Sequence, residues 1–573
     1  MRQELEEEKL QDIYTDLCIV EGHTGGVNSA HEVSTIHLKQ IETGAFSGTM
    51  NSVNLSNIFS DYAGESVTKV LTLGIAGVGK SVAVQKFVLD WAEDRENRNI
   101  ELVFVLPFRE LNLYNNKYSL FDLLLKLYPE LEEFKEAMEF EKTVLFVFDG
   151  LDESRIQLDF MDKDNSVCDP KEKASVAMLI TSLITGKLVS SALIWVTTRP
   201  AAANKDLCDL FHLVTEIQGF NEHHREEYFR KVIPKKSEQI IAHVKSKRSL
   251  YIMCHIPMFC RITAVVLGEK KKEQSASDQE MPKTLTEMYT QFSVLQITRM
   301  NERCEKKIST EEKGQLLVKL GKLAFKHLEK STLIFYEKDL AECGIEVNIG
   351  ALHAGLCTKI FIKESAVSGE SIFSFVHLSV QEFLAALYLL HTHATDKKNL
   401  LITTRWEKLR WVVNNSRFNL YKISLDKALL SENGQLDLCV RFLLGLAPVL
   451  EPDVRFPLNK VLPSLGIRQL SIKKTVGYIK KKISENIAPE RVINLFHCLS
   501  ELGDDSLVEE INSYLSSADE ENKQLTPAHC SALAYVLLMS AEELEEFDLK
   551  KCLRSEEGLH RMLPIVSVSK RVW

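Results

Sequence analysis

Leu71-Thr72-Leu73-Gly74-Ile75-Ala76-Gly77-Val78-Gly79-Lys80-Ser81-Val82 is the stretch on which the reading of this chain turns. It contains Gly74-x-x-x-x-Gly79-Lys80-Ser81, with the apolar run Val70–Leu73 before it and Val82-Ala83-Val84-Gln85-Lys86-Phe87 after it. Strand, glycine-rich loop and helix are the context in which this spacing binds phosphate. Glycines let the backbone wrap tightly enough to aim several N–H groups at one anion, and the helix N-terminus adds partial positive charge. Gly74, Ala76, Gly77, Val78, Gly79, Lys80, Ser81 and Val82 are therefore expected around the phosphates. Lys80 should reach the β- and γ-phosphates, and the Ser81 hydroxyl should ligate Mg²⁺.

Partners for this loop follow downstream. Leu102-Val103-Phe104-Val105-Leu106-Pro107-Phe108, ending before Arg109, suits a buried parallel strand. Thr143-Val144-Leu145-Phe146-Val147-Phe148 runs straight into Asp149-Gly150-Leu151-Asp152-Glu153. In a parallel sheet the carboxyl ends of strands line the ligand crevice, so Asp149 should land beside the phosphates as a Walker B acid. Asp149 is expected to hold Mg²⁺, usually through water, while Asp152 and Glu153 position or deprotonate an attacking water. Ala192–Thr198 supplies another strand, and Arg199 at its carboxyl end is a fixed cation suited to sensing a γ-phosphate. Leu213–Ile217 is expected to close the sheet.

At 573 residues the chain is too long for one core and should hold about three or four domains. Its 45% apolar and 26% charged residues are ordinary globular composition, and the net charge of -10 argues against non-specific nucleic-acid binding. Met1–Lys9 lacks the apolar core of a signal peptide, and no run of some 18 uncharged apolar residues predicts a membrane span. The 12 cysteines are scattered, and Cys254, His255 and Cys260 have no second ligand pair. Reduced core thiols of a cytosolic protein are expected rather than a zinc site.

In the lead-in, Leu10, Ile13, Tyr14, Leu17 and Cys18 recur at helical spacing, which predicts a helix over Leu10–Val20 broken by Glu21-Gly22. This segment is either a terminal arm or a piece packed against the nucleotide, with Tyr14 and Thr15 as its contact. After Asn221 helical periodicity dominates: His223–Val232, Ser237–His243, Ser249–Cys254 and Met258–Leu267, the last opened by Pro257. Ala174–Leu183 reads as a helix, Glu269–Lys283 as a solvated loop, and Ile372–Val376 as a strand. Val380, Phe383, Leu384 and Leu387 then make a helical stripe, with His377 at the junction and Ser379 as candidate cap. Residues 391–520 read as helical throughout. Leu544-x-x-Phe547-x-Leu549-x-x-Cys552 fits one leucine-rich repeat, preceded by a helix over Pro527–Met539.

Lined up in order, Gly74–Ser81, Asp149-Gly150-Leu151-Asp152-Glu153, Thr198-Arg199-Pro200, Pro257 and Val376-His377-Leu378-Ser379 resemble the NACHT ATPases of NOD-like receptors. Tyr14-Thr15-Asp16-Leu17, Glu21-Gly22 and His31-Glu32 are similar to the fish-specific NACHT-associated segment, a combination seen in the expanded group of these receptors in fish. The resemblance implies an α/β P-loop NTPase of the STAND/NACHT type, with an AAA+-like parallel sheet, followed by all-α helical domains and a winged-helix domain. It divides the chain into the associated segment (1–64), nucleotide-binding domain (65–220), helical domain 1 (221–283), winged-helix domain (284–390), helical domain 2 (391–520) and the start of a repeat region (521–573). It also implies that Lys80 and Ser81 are the Walker A pair, that Asp149, Asp152 and Glu153 are the extended Walker B, and that Arg199 is sensor 1. Pro257 would lie on the adenine side, and His377 would contact the β-phosphate of ADP.

The function implied is an ATP/ADP-binding switch of innate immunity and inflammasome signalling. ADP would hold it closed, and ATP exchange would open it to self-association or to association with other NOD-like receptors through the NACHT domain; ATP or ADP and Mg²⁺ are the cofactors implied. Cytoplasmic location and weak ATPase activity at most go with this reading. No death-fold domain is visible before the lead-in and the repeat array is nearly absent, so a non-signalling scaffold or decoy is the alternative. A turnover P-loop ATPase or kinase is disfavoured because the helical regions carry no lid or substrate signals. A GTPase is disfavoured because Asn204-Lys205-Asp206-Leu207 has its acid one place early.

Overall fold

Val144–Asp149 and Leu193–Thr198 are buried at every residue. That is the condition under which an apolar run without alternation becomes an interior strand of a parallel sheet. The structure is a computed structural model that describes residues 10–22, 52–60, 66–134, 143–160, 166–203, 205–268, 281–303, 309–330, 334–345, 357–360, 372–431, 436–450, 458–465, 470–485 and 489–504, together with residue 332 and a few isolated positions beyond 504. Its main sheet comprises Cys18–Glu21 (β1), Lys69–Leu73 (β2), Leu102–Pro107 (β3), Val144–Asp149 (β4), Leu193–Thr198 (β5) and Leu213–Gly219 (β6), in the order β1-β6-β2-β5-β4-β3. Strands β2 to β6 pair in parallel, so their carboxyl ends share one edge. Trp195 fills the interior, edge-on to Phe87 at 5.3 Å, and its indole N–H donates to Thr72 Oγ1 at 2.8 Å. Burying an indole with its N–H satisfied keeps the apolar gain without a desolvation penalty.

The lead-in departs from expectation. Only Leu10–Ile13 is helical, and Cys18–Glu21 forms β1, antiparallel to β6. The apolar spacing there is helical, but Cys18-Ile19-Val20 is short and β-branched, and the open edge of β6 offers it a ladder of backbone hydrogen bonds. Leu213–Gly219 consequently does not close the sheet; the lead-in does. Ala174–Ser175 pairs with Lys117–Tyr118 before the next helix, which runs from Val176 to Thr185 with the Ser175 hydroxyl as its cap. His31, Glu32 and the lysine run 270–272 lie outside the described residues, as do the repeat-like stretch apart from Glu546–Phe547 and the helix over Pro527–Met539 apart from Cys530 and Leu533.

Helix α1 (Lys80–Ala92) follows the phosphate loop, and Pro257 opens α2 (Pro257–Gly268). Helices α3 (Leu285–Arg303) and α4 (Thr310–Glu329) precede a three-stranded sheet of β7 (Ile334–Tyr336), β8 (Cys357–Ile360) and β9 (Ile372–Phe375), in the order β8-β9-β7. Helix α5 (Leu378–Asp396) is buried on nearly every face, so its apolar residues wrap all round instead of forming one stripe. It crosses α4 at Gly321, where a Cβ would come within 2.8 Å of the Leu384 carbonyl and of Tyr388 Cβ. Helices α6 (Arg405–Val413), α7 (Arg417–Leu430), α8 (Asp437–Val449), α9 (Leu470–Ile483) and α10 (Pro489–Glu501) complete the helical half.

A buried ion pair knits that half together. Glu501 accepts from Arg441 Nη2 at 3.2 Å, and the two side chains are only 2% and 3% exposed. The same carboxylate accepts the Leu285 and Thr286 N–H groups at 3.2 and 3.1 Å, capping α3 from a distant helix. Gly445 makes room for this approach, since a Cβ there would meet Thr286 Oγ1 at 2.1 Å. Glu501→Ala would take the ion-pair partner from a buried guanidinium and leave two helix-end donors uncapped, at a cost of about 3–5 kcal/mol. A thermal melt should show the helical half destabilised; an unchanged midpoint would mean the pair is not what holds α3, α8 and α10 together.

Candidate functional site

The phosphate loop closes around two glycines that only glycine tolerates well: Gly77 at φ 72° and Gly79 at φ 110°. Three separate pieces of chain press on them. Leu17, just before β1, would stand 3.0 Å from a Cβ on Gly79. The Met258 N–H, next to Pro257, donates to the Gly77 carbonyl at 3.4 Å. The His377 imidazole lies so close that a Cβ on Gly77 would come within 2.3 Å of Nε2. Lys80 folds over the loop, donating to the Gly74 and Ile75 carbonyls at 2.6 and 3.1 Å.

His377 reaches this position as the N-cap of α5. Its Nδ1 accepts the Ser379 N–H at 3.1 Å. Ser379 is therefore not the cap, contrary to the sequence reading: it lies inside the first turn, buried, and its hydroxyl meets Tyr289 Oη at 2.6 Å and also contacts His377 Nδ1. Because Nδ1 accepts, a neutral His377 carries its proton on Nε2, the nitrogen that faces Gly77. Phe259 packs edge-on against the ring at 5.8 Å and fixes its plane.

These elements enclose a cavity of about 300 Å³. Ala76, Gly77, Gly79, Lys80, Ser81 and Val82 line one wall, and Asp149, Asp152, Glu153 and Arg199 the strand-end wall. His377 and Gln381 on α5 face them. Gly74 and Val78 shape the loop from behind, Val78 being fully buried. Tyr14, Thr15 and Pro257 do not line this cavity. Tyr14 lies under the Lys86 ammonium at 5.3 Å and its carbonyl accepts from Lys231. Thr15 is 4% exposed with its hydroxyl unbonded among the described residues.

Strand β5 ties the two wings of the site together. The Gly74 N–H donates to the Thr198 carbonyl at 3.1 Å, which anchors the loop. Thr197 Oγ1 donates to Asp149 Oδ1 at 2.6 Å and accepts the Gly150 N–H at 2.9 Å. Asp149 is thus oriented by a hydroxyl that no motif singled out. Arg199 Nε pairs with Asp152 Oδ2 at 2.7 Å. Burial, reinforced by Asp152 and Asp149, pushes the Glu153 carboxyl up to about 7, against the opposing pull of Arg109 and Arg199.

Arg109 is the residue that sequence reasoning passed over as a strand end. It lines the cavity, and its Nε is buried without a hydrogen bond among the described residues, as is Asp152 Oδ1. Its place in the short helix Phe108–Leu111 that follows β3, beside the acidic strand end of β4, was the available signal. A glycine cradle, three cations (Lys80, Arg109, Arg199) and three carboxylates (Asp149, Asp152, Glu153) at one strand edge form a donor set that fits a phosphorylated nucleotide with a divalent cation.

Comparison with known proteins agrees with this architecture. The family model described as NACHT domain matches residues 68–236, and the fish-specific NACHT associated domain matches 1–60. The NOD2 winged helix domain matches 315–375, and the NLRC4 helical domain HD2 matches 377–510. Protein NLRC3 of Mus musculus is 31% identical over 86% of this chain and 46% of its own length. NLR family CARD domain-containing protein 3 of Homo sapiens is likewise 31% identical over 86% and 46%. NACHT, LRR and PYD domains-containing protein 3 of Rattus norvegicus is 28% identical over 87% and 46%. The chain spans about half the length of the curated relatives it matches.

A second contact joins the acidic strand end to the three-stranded sheet. Asn112 holds the loop after β4 by donating to the Glu153 carbonyl at 3.0 Å and accepting the Arg155 N–H at 2.8 Å. Arg155 then lies 5.0 Å over the Tyr336 ring and donates to the Ile334 carbonyl at 3.3 Å, both on β7. Arg155→Ala should weaken closure by about 1 kcal/mol, roughly fivefold in the release rate of a fluorescent nucleotide. Stopped-flow displacement measures this, and an unchanged rate would leave Arg155 an ordinary surface cation.

Proposed function

Because the chain belongs to the NOD-like receptor family of NACHT proteins, we propose that it is a nucleotide-gated switch within the signalling role that family membership carries. The P-loop fold is a nucleotide-binding fold. ADP is proposed to favour the closed arrangement and ATP the open one, with self-association of the nucleotide-binding units following. The observation that carries the reading is His377 seated on Gly77. The imidazole belongs to α5 and the glycine to the phosphate loop, so loop conformation and helix position are one mechanical variable. Not even a methyl group fits between them, so a rearrangement that carries Gly77 toward α5 displaces the His377 ring.

The proposed roles follow from position. Lys80, the Gly77 and Gly79 backbone, and the His377 Nε2–H bind phosphate oxygens. Arg109 and Arg199 face the terminal phosphate as fixed cations. Thr15 and Tyr14 from the lead-in, and Pro257 opening α2, lie outside the cavity lining and are assigned to the nucleoside side on the family resemblance alone. Ser81 and Asp149 would hold Mg²⁺, which when bound neutralises charge between the β- and γ-phosphates. Glu153 is the base for any slow hydrolysis, with Asp152 held by Arg199 to orient it. We also propose the division into nucleotide-binding (65–220), first helical (221–283), winged-helix (284–390) and second helical (391–520) domains, and a cytoplasmic location. Each nucleotide shifts the equilibrium only by its difference in affinity for the two arrangements.

Denaturing the freshly purified protein and identifying the released nucleotide by chromatography tests the switch. Stoichiometric ADP is expected, lost in Lys80→Ala and reduced in His377→Ala. An empty site with rapid steady-state ATP turnover would replace the switch with an enzyme.

The Glu153 carboxyl sets a pH dependence. With its protonation midpoint raised to about 7, the basic form grows as pH rises from roughly 6 to 8. Hydrolysis, however slow, should rise through that window, and Glu153→Gln should abolish the rise. The sign for stability is opposite: an acid whose folded pKa is raised costs stability as pH climbs from its ordinary range through about 7. Glu153→Gln should therefore raise the melting temperature at pH 8 and leave it unchanged at roughly pH 4. A variant with the parent's profile at both pH values would clear Glu153 of either effect.

A further inference from the structure

Helix α6 carries the largest concentration of exposed apolar side chains among the described residues: Trp406 (79%), Leu409 (62%), Val412 (74%) and Val413 (89%). Single exposed apolar residues need no explanation, but a contiguous set does. At about 100° per residue these four fall within about 120° of the helix circumference. Trp411 lies opposite, buried against His393 at 5.6 Å between ring centroids, with its indole N–H donating to the Lys397 carbonyl at 2.6 Å. The helix is therefore pinned by its back, with the apolar arc turned outward.

Charge identifies the occupant. Arg405, Lys408 and Arg410 are exposed along and beside the arc, and none has an ion pair among the described residues. The helix's one acid, Glu407, is engaged in the capping box with Thr404 on the side nearer Trp411. A basic rim of this kind stands out on a chain of net charge -10. Lys427 on α7 contacts the Leu401 carbonyl just before α6, which brings the end of α7 and exposed Leu430 (81%) to the same region. Four side chains on a helix about 14 Å long are too few for the roughly 800 Å² per partner that a stable protein contact requires. A convex strip of Trp, Leu and Val with Arg and Lys beside it suits the boundary between anionic headgroups and acyl chains.

We propose that α6 is a membrane-surface docking site that inserts Trp406, Leu409, Val412 and Val413 into an anionic bilayer, with Arg405, Lys408 and Arg410 against the lipid phosphates. Among the described residues no helix is long and apolar enough to cross a membrane, so the contact is peripheral.

Co-sedimentation of the full chain with vesicles of phosphatidylcholine plus phosphatidylserine, against phosphatidylcholine alone, tests this. Binding to the anionic vesicles only, weakened by salt, is expected. Trp406→Ser/Leu409→Ser/Val413→Ser and Lys408→Glu/Arg410→Glu should each lower binding about tenfold or more. All five positions are exposed, and an unchanged circular-dichroism melt shows that each variant folds. Absence of vesicle binding, or binding by both variants equal to that of the parent chain, overturns the proposal. Lipid-independent self-association that the triple variant abolishes would assign the strip to a second copy of the chain, and also overturns it.

Discussion

The phosphate loop and the start of α5 meet where the His377 imidazole is seated on Gly77. That contact demands a residue without a side chain, held at positive φ, and an imidazole oriented by its own helix cap. Phe259 and Tyr289, from two further helices, fix the ring and its serine neighbour. Four segments distant in sequence therefore meet at a few atoms.

Behind that contact stands β5. Its Thr198 carbonyl anchors Gly74 and its Thr197 hydroxyl bridges Asp149 to Gly150, so one strand positions both halves of the phosphate site. Its Trp195 secures the strand in the core. The helical half is held by a different device, the buried Arg441–Glu501 pair that also caps α3. A carboxylate with a guanidinium and two helix-end donors is well satisfied, which is what allows these charges to stay buried.

Much of the site was legible because its chemistry is local. Gly74-x-x-x-x-Gly79-Lys80-Ser81 dictates a loop whatever surrounds it, and an acidic group after an unalternating apolar run declares a strand end at a ligand crevice. Arg109 and Thr197 carry no such local mark. Their importance comes from strand order, which puts β5 between the loop-bearing β2 and the acidic β4, and β3 next to β4. The lead-in misled for a related reason: Leu10, Ile13, Tyr14, Leu17 and Cys18 have helical spacing, and the unpaired edge of β6 overrode it.

By itself the sequence determined the parallel α/β core, the phosphate loop, the acidic strand end and the helical character of the second half, because each is encoded in spacing and burial over a few neighbouring residues. Tertiary structure alone decided that the lead-in closes the sheet and that His377, not Ser379, caps α5. It also decided that Arg109 joins the cavity and that Arg155 reaches β7. Those outcomes depend on which edges and cavities distant segments present to one another, and periodicity along one segment carries no information about its partner.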